Sequence, residues 1–79
     1  MIDKSQPYGT KRLSVNRAVS IFQKELKIRP WVAFEFVNEF MEKEGCIISD
    51  ISEIKVSYSD DGEIVIQYTE NGVNKKSIL

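Results

Sequence analysis

Histidine is missing from this chain of 79 residues, and cysteine occurs once, at Cys46. These two scarcities remove a large block of chemistry. A single thiol forms no internal disulfide. With no imidazole beside it, the usual Cys/His metal sites and the His-dependent catalytic triads and dyads are excluded. Cys46, next to Ile47 and Ile48, reads as a small buried hydrophobe. Long apolar runs are missing too: none reaches the roughly 18 residues of a membrane span. The stretch MIDKSQPYGTKR lacks the apolar centre of a signal peptide. The expected location is therefore cytoplasmic. Phosphate loops, nucleophile elbows and metal motifs are not found. The expectation is a non-enzyme with no cofactor and no small-molecule substrate.

The composition is that of a folded protein: 42% hydrophobic, 29% charged, four Gly and two Pro. That argues against disorder and low complexity. At this length the reading is a flexible N-terminal arm over residues 1–12 and one small α+β domain over residues 13–79. Such a domain holds only about 3–5 kcal/mol.

Charge is unevenly spread. Residues 1–30 carry seven basic and two acidic side chains (7 − 2 = +5), and residues 31–79 carry four basic and ten acidic (4 − 10 = −6), which sum to the net −1. A basic surface and an acidic surface are expected.

Ser14 reads as the N-cap of a helix running to about Lys27. Val15, Ala18, Val19, Phe22 and Leu26 follow the spacing of one helical face, with Ile21 on its shoulder. Arg17, Lys24 and Lys27 fall on the opposite side. Pro30 disfavours helix at the residue before it and suits the first turn of the next one. A second helix is predicted from Pro30 to Glu44, closed by Gly45. At about 100° per residue, Val32, Ala33, Phe34, Phe36, Val37, Phe40 and Met41 cover an arc of about 200°. A helix lying on one surface needs only about 100°, so cover on two sides is expected. Trp31 falls outside the arc, on the polar side of the first turn.

IKVSYS (Ile54–Ser59) and EIVIQYT (Glu63–Thr69) alternate as strands do. A three-residue loop with Gly62 in the left-handed position pairs Tyr58 with Ile64, Val56 with Ile66 and Ile54 with Tyr68, placing six apolar side chains on one face. Glu70-Asn71-Gly72 is a second turn. VNKKSIL reads as a third, edge strand, where Lys75 and Lys76 discourage aggregation. CIIS (Cys46–Ser49) reads as a short strand or a buried connection. The predicted fold is two helices packed on one face of a three-stranded antiparallel meander, α-α-β-β-β.

Two acidic groupings invite a catalytic or cation-binding reading. Asp60-Asp61 sits where turns require Asp and Gly for backbone reasons. Glu35, Glu39 and Glu42 share one helical face, and hard cations usually draw several oxygens from a tight loop instead. A solvated helix face accounts for them.

The basic residues form a more suggestive set. Lys11 and Arg12 lead into the first helix, Arg17, Lys24 and Lys27 lie along it, and Arg29 follows, with Tyr8 nearby in the arm. Such a strip neutralises phosphates, docks on an acidic protein surface, or faces only water. Trp31 is the expected aromatic anchor of an interface.

AVSIFQKELKIRPWVAFEFVNEFMEKEGCI (residues 18–47) resembles the middle of a winged-helix or helix-turn-helix domain. A helix with a Gln/Lys-rich end is followed by a short turn, a second helix and then a β-hairpin in the place of a wing. The resemblance implies a DNA-binding transcriptional regulator. Here the second helix presents Glu35, Glu39 and Glu42, which repel phosphate, so the basic first helix and arm are the expected DNA contacts. The residues themselves support first a small regulatory or inhibitory module that docks on a partner protein or on a second copy of itself. Its length suits a phage or mobile-element product.

Overall fold

The computed structural model describes residues 13–79. The expected arm, with Tyr8, Lys11 and Arg12, lies outside the described residues. Two helices, α1 (Val15–Leu26) and α2 (Pro30–Glu44), precede three strands, β1 (Ile51–Tyr58), β2 (Ile64–Glu70) and β3 (Val73–Ile78). The strands form an antiparallel meander in the order β1-β2-β3. The fold is the predicted α+β arrangement. Among the described residues no helix is long and apolar enough to cross a membrane.

Local chemistry sets the helix ends. Ser14 Oγ accepts the N–H of Arg17 at 3.1 Å and caps α1, satisfying one of the four donors that a helix start leaves open. At the other end Lys27 adopts the left-handed conformation, φ 56°, and its N–H returns to the Gln23 carbonyl. The Tyr58 hydroxyl donates to the Leu26 carbonyl at 3.0 Å, so a strand side chain satisfies another open group of the same helix. In α2, Pro30 occupies the first turn, and Gly45, φ 63°, closes the helix.

The strand register is the predicted one: Ile54↔Tyr68, Val56↔Ile66 and Tyr58↔Ile64. Ser59 N–H donates to the Glu63 carbonyl at 2.7 Å, which leaves Asp60, Asp61 and Gly62 as a three-residue loop. Gly62 has φ 84° there. Ser59 Oγ accepts the N–H groups of Asp61 and Glu63 at 3.2 and 3.1 Å. The Asp60-Asp61 pair is thus part of a hydrogen-bonded turn.

One detail differs from the sequence expectation. β1 begins at Ile51, not Ile54, because the pairing shifts between Ile51 and Glu53. That bulge puts Ile51 and Ile54 at an odd spacing and hides the alternation. Residues 46–49 take the second of the two expected forms, a buried connection. Cys46 and Ile48 are buried in a connection that includes one 3-10 turn, Ile48–Asp50.

The core lies between the helices and one face of the sheet. Phe22 of α1, Val37 and Phe40 of α2, Ile51 of β1 and Ile66 of β2 are fully buried. Phe40 meets Tyr68 edge to face, with ring centroids 4.8 Å apart and planes at 84°, a geometry favoured by the ring quadrupoles. The opposite sheet face, including Lys55, Ser57, Gln67, Asn74 and Lys76, is exposed. The middle strand β2 alternates between core and water, as a strand covered on one side does, whereas in β3 only Ser77 is buried.

Candidate docking surface on the helical layer

The broad apolar girdle of α2 is covered unevenly. Ala33, Val37 and Phe40 are buried, and Phe36 and Met41 pack partly against the core. Phe34 belongs to the predicted apolar arc but remains 48% exposed, and Trp31 is 62% exposed. At 100° per residue these two stand about 60° apart on the outward side of the helix. The expected cover on two sides thus fails at Phe34. The connection of three residues, 27–29, holds α1 to one flank of α2 and leaves the outside of the first turns bare.

Arg29 lies two residues before Trp31, across Pro30. Its guanidinium carbon is 5.5 Å from the indole ring centroid, a cation-π pair on the surface. Arg29 also occupies the N-cap position of α2, where it makes no side-chain capping bond. The position that usually carries Ser, Thr, Asp or Asn is instead given to a cation resting on an aromatic ring.

Four residues of the predicted basic strip are among those described. Arg17, Lys24, Lys27 and Arg29 are all exposed. Arg17 and Lys24, seven residues apart, point the same way from α1. None of the four makes an ion pair with another described residue, since the ion pair found there joins Lys75 to Glu70 at 3.0 Å. Glu35, Glu39 and Glu42 are exposed on the outer side of α2 and are likewise without an ion pair to a described residue. Lys43, one turn after Glu39, donates to the Ile78 carbonyl of β3 instead. The outside of the helical layer thus carries a basic row on α1 beside an acidic row on α2, with Trp31 and Phe34 at one end.

Glu44 has a role that sequence reasoning missed. It is half-buried, accepts from Ser77 Oγ at 2.6 Å, and receives the Tyr68 hydroxyl at 3.4 Å. Burial, with the Glu44 carboxylate beside it, pushes the Tyr68 hydroxyl up to about 12. Burial, helped by Glu70, also raises the Cys46 thiol. A buried thiol held protonated is a poor nucleophile. Near it, Leu13, Val15, Met41, Cys46, Ile47 and Ile48 line an apolar depression of about 480 Å³ at the start of α1. Among the described residues no three acidic or thiol groups are close enough to hold a metal ion.

No protein-family model matches this chain, and neither the curated proteins nor the solved structures contain a match to it.

Proposed function

We propose that this protein is a non-catalytic docking module that regulates or inhibits a partner protein by covering part of its surface. The carrying observation is the exposed Arg29–Trp31 stack beside exposed Phe34. A small domain gains nothing in stability by leaving two large aromatics in water, and Trp and Arg are the residues that most often anchor interfaces. The adjoining basic strip steers an acidic partner into place.

The test is capture of partners from host lysate on the immobilised protein, with and without nuclease. A protein should be retained in both conditions. It should be lost with Trp31→Ala, an anchor truncation worth about 2 kcal/mol or about 30-fold in Kd. Retention untouched by Trp31→Ala and by Arg17→Glu/Lys24→Glu would overturn the reading.

A second reading, a DNA-binding regulator of winged-helix type, is favoured by the exposure of Arg17, Lys24 and Lys27 on one side of α1 without carboxylate partners among the described residues. It expects duplex binding that weakens steeply with salt and disappears in Arg17→Glu/Lys24→Glu. No mobility shift with any duplex at low salt removes it.

A further inference from the structure

The helical layer has a charge layout that is complementary to itself. α1 and α2 are joined by three residues, and Val15 near the start of α1 lines the same depression as Met41 near the end of α2. The helices therefore run antiparallel, with Arg17 level with Glu39 and Lys24 level with the first turns of α2. The basic row and the acidic row lie side by side, each exposed and neither paired to the other.

A second copy turned over about an axis parallel to the helices sets its α1 over this α2 and its α2 over this α1. That operation keeps position along the helices. Arg17 of one copy comes over Glu39 and Glu42 of the other, and Lys24 comes over Glu35 and Trp31. The same contacts form twice, as an isologous interface demands. Turning the copy about an axis across the helices would instead set basic on basic and acidic on acidic, which like charge opposes.

We propose that the outer faces of the two-helix layer pair in this way, so that a second copy of the chain occupies the docking surface. The inference rests on reading that layer as a docking surface and names its occupant. Two helices of 12 and 15 residues offer a face at the lower end of specific interfaces, below about 1,200 Å² in total. The dimer is therefore weak, sensitive to salt, and in competition with any other partner for the same face.

The test uses complementary charge reversals at exposed positions. One chain carries Arg17→Glu/Lys24→Glu, and its outer helical face becomes predominantly acidic, with Lys27 and Arg29 kept at the connection. The other carries Glu35→Lys/Glu39→Lys, and that face becomes predominantly basic, with Glu42 the acid left in the row. By sedimentation equilibrium each chain alone should be monomeric and an equimolar mixture should be a heterodimer. A single chain with all four reversals should form homodimers again. Lys55→Glu/Lys76→Glu, which changes the net charge equally on the outer sheet face, should leave the wild-type dimer intact.

The only tryptophan, Trp31, reports on the unmodified chain. Its emission should shift on dilution, with a midpoint that rises about tenfold or more as salt goes from roughly 0.05 to 0.5 M and the screening length shortens. A wild-type monomer at millimolar concentration overturns the proposal. So does a dimer that survives either pair of reversals, a mixture that stays monomeric, or a dimer lost through the sheet-face change. If the chain is monomeric while partner capture still depends on Trp31, the self-pairing falls and the docking reading stands. If it dimerises as described but captures nothing through Trp31, the separate partner falls instead.

Discussion

At its C-terminal end α2 is fastened to the sheet by several unlike contacts. Phe40 meets Tyr68, Glu44 accepts from Ser77, Lys43 donates to the Ile78 carbonyl, and Gly45 closes the helix in the left-handed conformation. At its N-terminal end the same helix has no side-chain cap and no acid in its first turn, and Trp31 and Phe34 stand in water. One helix thus separates two tasks along its length. The end that touches the sheet holds the fold together. The other end forgoes the available stabilisation and offers an aromatic surface.

The sharpest way to break this comparison is at Phe40. Phe40→Ala empties a fully buried site against Tyr68 and should cost about 3–5 kcal/mol, enough to unfold much of a domain this small at 25 °C. Urea melts followed by circular dichroism measure it. A loss below about 1 kcal/mol would mean that the C-terminal end is not the anchor.

Glu44→Ala should cost about 1.5–3 kcal/mol, the worth of hydrogen bonds to a charged group. The same locus sets an alkaline limit. The fold keeps the Tyr68 phenol neutral up to about 12, while the unfolded chain ionises it near 10. Its stabilisation is fully present below pH 10 and is lost as pH rises toward 12, by at most about 1.4 kcal/mol per pH unit. Glu44→Gln removes one cause of the raised value and should shorten that window in an absorbance titration of Tyr68.

At the other end the effects shrink and change sign. Arg29→Asp supplies the missing cap and places a negative charge at the positive end of the helix. It should raise stability by about 0.5–1 kcal/mol while weakening partner binding. Trp31→Ala should move stability by less than about 0.5 kcal/mol, as exposed positions do, while abolishing capture. A large thermal destabilisation by Trp31→Ala would erase the division between the two ends.

Much of the fold was legible because a few residues dictate local geometry. Pro30 and Gly45 bracket α2, and Gly62 sets a loop length from which the register of three apolar pairs follows. The departures arise where distance along the chain hides proximity. Lys27 takes a conformation that favours glycine, since the short path to Pro30 requires the reversal and no glycine is there. The bulge after Ile51 disguised three residues of β1. Glu44 looked like one more surface acid, and only the closing of α2 on β2 and β3 brings it to Tyr68 and Ser77. For the candidate site, exposure of Trp31 followed from its place on the wheel. Exposure of Phe34 did not, because the flank that α1 covers is decided by the tightness of residues 27–29. The i, i+2 spacing of Arg29 and Trp31 at a helix start was the one available hint of their stacking.

The order of the elements has a consequence for how the chain is made. The helices leave the ribosome before the strands that cover them. At roughly 5–20 residues per second, Phe22 and Phe40 wait a few seconds for Ile66 and Tyr68 to emerge. Once they do, the two-residue Asn71-Gly72 reversal and the three-residue loop before it close within about 10 µs, so nascent-chain lifetime rather than sheet assembly sets the interval of vulnerability.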